Sequence, residues 1–173
     1  WHSPIEPKTS AKAKRFSTIW KNYITTDTKC IGGYVFYWGQ KQEYTESWYS
    51  LFSKTGEKTL IIDTLSSIWN NKNISNSSPI LKSIQWVNQT DSSNIRVDKS
   101  SLNELNIKAF DIENDSISIT AEIRPETSLN VDDYGIESVP LLELGLINKI
   151  SADNILFNAP EKPGLYRIFI KIV

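Results

Sequence analysis

The hydrophobic residues of this chain change period once, near residue 70, and that change constrains the fold more than any other feature. Upstream, Ala13, Phe16, Ile19, Trp20, Tyr23 and Ile24 recur at spacings of three and four, the signature of one helical face. Downstream, apolar and polar residues alternate in short runs, as half-buried strands require. Aromatic content changes at the same place: 13 of the 19 aromatic residues lie between Trp1 and Trp69. The stretch 70–79, NNKNISNSSP, is rich in polar turn formers, which suits a connection between packed units. Two units are expected, residues 1–72 and 81–173, joined by a linker over 73–80.

In the first unit, Thr9 or Ser10 can cap a helix running from about 10 to 26. The run 31–38, IGGYVFYW, lacks polar alternation and is rich in aromatic and β-branched residues, so it reads as a strand buried on both faces in a parallel sheet. A polar loop, 40–46, and the aromatic turn 47–52, SWYSLF, follow. A second helix then places Ile61, Leu65, Ile68 and Trp69 on one side. One strand cannot make a sheet, and about 70 residues cannot close a barrel. The unit reads as incomplete, with an apolar patch expected around Tyr34, Phe36 and Trp38 unless a partner covers it.

The second unit carries alternating segments at about 81–88, 104–112, 116–124, 139–147, 154–158 and 165–173. Ile117, Ile119, Ala121 and Ile123 face one way in the clearest of them, and Tyr166, Ile168, Ile170 and Ile172 do so in another. Five or six short strands in this length point to an immunoglobulin-like β-sandwich.

Charge and composition narrow the functional classes. Nineteen Lys and Arg against 20 Asp and Glu leave a net charge of -1, so no general positive field draws nucleic acid. The basic run Lys8, Lys12, Lys14 and Arg15 fits the solvated face of a helix. The single cysteine, Cys30, and the single histidine, His2, cannot supply a four-ligand zinc site. Cys30 reads as a small buried hydrophobe, and His2 as a frayed terminal residue. No apolar run approaches the roughly 18 residues of a membrane-spanning helix, and no signal-peptide pattern opens the sequence. Sequons at Asn73, Asn76, Asn88 and Asn114 are what chance yields in an Asn- and Ser-rich chain.

The residues 30–43, CIGGYVFYWGQKQE, followed by 47–52, SWYSLF, and by Gly56 to Thr59, resemble the end of the barrel in bacterial clan A glycoside hydrolases, such as family 2 and related β-glucanases. Residues 81–173 resemble the immunoglobulin-like or PKD-like module that follows such barrels. The carrying stretches are 110–115 (FDIEND), 123–126 (IRPE) and 158–169 (NAPEKPGLYRIF). The resemblance implies the terminal αβα portion of a (β/α)8 barrel over 1–72, then the sandwich. It also implies a secreted, extracellular, cell-surface or periplasmic parent that hydrolyses β-linked glycans with retention. Acid/base and nucleophile would then lie upstream of Trp1, the chain alone would be inactive, and both ends would be cut. The partners implied are an oligo- or polysaccharide and the remainder of the barrel; no cofactor or metal is implied.

Within that reading Trp38 is the leading substrate contact, because an indole at a strand end can pack on the C–H face of a sugar while keeping its N–H free to bond. Gln40, Gln42 and Glu43 share its rim. Trp48 and Tyr49 are expected to fill space between strand and helix, and Glu6 to be a solvated loop carboxylate. The oxygen-rich turn of Asp111, Glu113, Asn114 and Asp115 could hold calcium or simply be a polar hairpin. Two rivals stand beside the hydrolase reading. One is a non-catalytic cell-surface binding or spacer protein with an immunoglobulin-like domain. The other is a small complete enzyme using Glu6 and Glu43, which would need the two carboxyls about 5–5.5 Å apart for retention.

Overall fold

A computed structural model describes residues 4–90, 94–126 and 137–173. Trp1 and His2, and with them the reading of His2 as a frayed terminus, lie outside the described residues. The chain divides into two compact units, with the break between Ser78 and Pro79. One contains residues 6–78 together with Glu137; the other contains Pro4, Ile5 and the described residues from 79 onward, apart from Glu137.

In the helical unit, α1 (Thr9–Ile19) runs into a π-helical turn, Trp20–Ile24, where the Thr25 amide reaches back five residues to the Trp20 carbonyl at 3.0 Å. Neither Thr9 nor Ser10 caps α1. Lys8 holds the cap position in extended backbone, its side chain makes no capping bond, and its carbonyl accepts the Ala11 and Lys12 amides. Helix α2 (Leu60–Asn70) ends at Asn71, which adopts the left-handed conformation that asparagine tolerates well. Ala13, Leu51, Ile61 and Leu65 make the buried core, flanked by Phe16, Val35, Phe52, Leu60 and Ile62. Small Ala13 is the one fully buried residue of α1, so the helix approaches closely at that point. Trp69 lies at the margin, edge-on to Trp20 at 5.9 Å and still 43% exposed.

The expected strand over 31–38 is not formed. The segment is irregular, and Ile31 and Tyr34 are fully exposed, Phe36 72% and Trp38 62% exposed. The physical reason is pairing: a strand buried on both faces needs ladder partners for every amide and carbonyl. Every named strand of the described residues lies beyond residue 79, in the other unit. Only Val35 of this run reaches the helical core. The apolar patch around Tyr34, Phe36 and Trp38 is accordingly on the surface.

The second unit is built from β1 (Ile80–Trp86), β2 (Leu102–Phe110), β3 (Ile119–Pro125), β4 (Ile147–Ile150), β5 (Asn154–Asn158) and β6 (Tyr166–Ile172). One sheet has the order β1-β2-β5-β4 and the other pairs β3 with β6; every ladder is antiparallel, so the parallel sheet suggested by 31–38 is absent among the described residues. Both sheets contribute to one core: Leu105 and Ile107 from β2, Ile155 and Phe157 from β5, and Ile123 from β3. Trp86 packs edge-on against Phe157 at 5.5 Å. The alternation in the sequence thus marks the right face: Ile119, Ala121, Ile123, Ile168, Ile170 and Ile172 all pack inward. The run 139–147 does not form the expected strand. Pro140 lacks a ladder donor and Gly145 turns the chain at φ 72°, so pairing begins only at Ile147. The Glu143 amide still ties this run to the Ile123 carbonyl at 2.9 Å.

Candidate functional site

Gly39 sets the geometry of the aromatic loop. Its carbonyl accepts the amides of Leu51 (3.0 Å) and Phe52 (3.4 Å), closing residues 40–50 into one loop with Trp38 at its base. Buried Ser50 ties the loop internally: its hydroxyl accepts the Lys41 amide at 2.9 Å and donates to the Glu46 carbonyl at 2.7 Å. Gln40 donates to that same carbonyl at 3.3 Å. Glu43 pairs with Lys41 at 3.0 Å and bonds through its backbone to Thr45, while Gln42 is half-buried in the same loop. Trp38, Gln40, Gln42 and Glu43 therefore belong to one closed loop and its base. Tyr44, at φ 57°, donates its amide to the buried carboxylate of Glu137 at 2.5 Å.

The aromatic rings of this region form a connected series. Phe36 meets Tyr49 at 5.1 Å, Tyr49 meets Trp48 at 6.4 Å, and Trp48 meets Tyr44 at 5.4 Å, with interplanar angles of 61°, 80° and 54°. Trp38 stands edge-on to Phe52 at 5.5 Å and 73°. Tyr49 is 43% exposed, so it does not serve as the interior filler expected of it. Contacts of this kind hold rings against one another while leaving faces or edges to solvent.

Glu6 is not the solvated carboxylate its proline-flanked position suggests. It pairs with Lys12 and accepts the Ser47 hydroxyl (2.9 Å) and the Thr45 hydroxyl (2.5 Å). Lys12 gives its remaining hydrogens to the carbonyls of Ser47 (2.7 Å) and Trp48 (3.2 Å). Sequence spacing did not reveal this network, because its partners lie about 40 residues away in the loop. Both Glu6 and Glu43 are thus engaged by a lysine. Asp111 turns its carboxylate onto its own backbone, accepting the amides of Glu113 (2.9 Å) and Asp115 (3.1 Å). No group of three metal-ligating side chains gathers among the described residues. Cys30 is half-buried, with its thiol 3.4 Å from the Gly32 carbonyl.

Compared with known proteins, the chain matches no family model and no curated protein sequence. No helix among the described residues is long and apolar enough to cross a membrane.

Proposed function

We propose that this chain is the C-terminal region of a secreted glycoside hydrolase acting on β-linked glycans. Residues 6–78 would be the last portion of its (β/α)8 barrel, and the two-sheet unit an immunoglobulin-like accessory module. Trp38, with Gln40, Gln42 and Glu43, forms one wall of the substrate cleft, and the catalytic carboxylates are supplied from outside this chain. The observation that carries the reading is the aromatic series at the surface: Phe36, Trp38 and Tyr49 are exposed and Trp48 and Tyr44 half-buried, all held in ring contacts. Sugars offer the matching chemistry, an apolar C–H face ringed by hydroxyls that the loop amides and carboxylate can bond. In this reading 31–38 becomes a strand when the remainder of the barrel provides its neighbours.

Ring orientation refines the ligand. Successive rings are tilted by 54° to 80°, so no two of these neighbours share a plane. Such a surface grips separate sugar units of a single chain and does not match the flat face of a crystalline polymer. The test is co-sedimentation with microcrystalline cellulose beside calorimetric titration with soluble β-glucan oligosaccharides. Binding only to the soluble ligand is expected, weakened about ten-fold, or ~1.4 kcal/mol, by Trp38→Ala. Aryl β-glycosides should remain uncleaved by this chain. Turnover of them would overturn the assignment of catalysis to another segment, and failure to bind any β-glucan would overturn the carbohydrate reading.

The second reading, a non-catalytic surface-binding or spacer protein, draws on the engagement of Glu6 and Glu43 in ion pairs. It predicts binding by the same rings, with no gain of hydrolysis when the upstream segment of the parent polypeptide is restored.

A further inference from the structure

We infer that Glu6 and Lys12 are positioning residues that set the aromatic surface of the loop, an inference that rests on the carbohydrate reading for its ligand but not for its geometry. The ion pair is largely enclosed, with 18% of the Glu6 side chain and 13% of the Lys12 side chain exposed. It does not merely neutralise itself. Together the two side chains bind the loop at four atoms: the hydroxyls of Thr45 and Ser47, and the carbonyls of Ser47 and Trp48. An ammonium group has three hydrogens, and Lys12 places one on Glu6 and two on consecutive carbonyls. The second of those carbonyls belongs to Trp48 and begins the peptide that leads to Tyr49.

The consequence is geometric. Tyr44, Trp48 and Tyr49 lie within or immediately beside the clamped stretch, and these are three of the four rings of the connected series, Phe36 being the fourth. Their contacts with one another are edge-on or tilted, and such contacts alone leave the backbone between them free to shift. The bonds from Lys12 and Glu6 fix that backbone. A charge-assisted bond to a partly buried carbonyl is stronger than a neutral one, and its loss leaves both the carbonyl and the partner charge unpaired. Lys12 sits in α1, one residue before Ala13, the residue that helix contributes to the buried core, so the clamp ties the loop to a core helix of the unit.

The experiment compares Lys12→Met, Lys12→Arg and Glu6→Gln with Lys58→Met. The last variant breaks a different ion pair of the same unit, Lys58 with Asp63, and controls for stability. Each is measured by near-ultraviolet circular dichroism and by calorimetric titration with soluble β-glucan oligosaccharide, well below its melting temperature. Lys12→Met and Glu6→Gln are expected to alter the aromatic dichroism and weaken sugar binding about ten-fold. Lys12→Arg, which keeps several donors, should recover most of both signals, and Lys58→Met should leave both unchanged despite a lower Tm. Unchanged dichroism in Lys12→Met, or loss that follows Tm equally in Lys58→Met, would overturn the inference. If the wild-type chain binds no sugar, the carbohydrate reading fails, and the dichroism alone still decides whether the pair positions the rings.

Discussion

At the scale of single residues, enclosed charge is used to organise backbone. Glu6 and Lys12 clamp a loop, Glu137 holds the Tyr44 amide, and Arg167 spans the Glu126 carboxylate and the Pro4 carbonyl. None of these partnerships has a local sequence signature, since the partners are separated by tens of residues or more. Tyr166 shows a related effect on a titrating group. Partial burial first, and the charge of Glu143 second, push its phenol above the usual range. A raised phenol pKa means that the folded state holds the proton more tightly than the unfolded chain. The associated stability is therefore present in full below about pH 10 and is lost as pH rises through the folded-state value. Difference absorbance titration against Tyr166→Phe should place this phenolate above the ordinary value, and Glu143→Gln should lower it part of the way. A Tyr166 titrating at or below the ordinary value would contradict this account.

At the scale of elements, the sequence was most legible where period and burial agree. Five of the strand segments were identifiable because their apolar residues do face a core, as Ile123 and Ile168 do. The helical stripes face one only in part, through Ala13 and Phe16 in the first and Ile61 and Leu65 in the second, while Ile19, Tyr23 and Trp69 stay exposed. The run 31–38 failed for a reason outside itself. Its composition demands strand neighbours on both sides, and no strand among the described residues pairs with it, so it lies irregular and largely exposed. The run 139–147 failed because Pro140 and Gly145 outweigh an apolar alternation. In the site, the placement of Trp38, Gln40, Gln42 and Glu43 around one loop followed from their closeness in sequence. The clamp beneath that loop, and the exposure of Tyr49, did not. Helix α2 carries a further element-scale device: Asp63, nearly buried, pairs with Lys58 and accepts the Ser78 amide at 2.6 Å, while Lys58 also reaches the Asn76 carbonyl. This fastens the polar segment after α2 to the helix. Asp63→Ala should cost about 2 kcal/mol in denaturant unfolding, below the ~3–5 kcal/mol of a fully enclosed pair because Lys58 remains partly solvated. An unchanged midpoint would show that the segment is held by other means.

At the scale of the whole molecule, the change of hydrophobic period near residue 70 corresponds to two compact units with separate cores, one around Ala13, Leu51, Ile61 and Leu65 and one between two antiparallel sheets. The polar turn formers of 70–79 contain the break at Ser78 and Pro79, since such residues have little apolar surface to commit to either core. The proposed division of labour follows the same line, with the exposed rings in the helical unit and the accessory module in the other. The proposed function requires that those rings meet sugar. The most direct measurement is a nitrogen-15 NMR titration of the Trp38 indole N–H, assigned by Trp38→Phe, with a soluble β-glucan oligosaccharide. A saturable shift of that resonance, with those of Trp20 and Trp86 unmoved, is the predicted result. A Trp38 resonance that stays in place through a titration at millimolar ligand would contradict it.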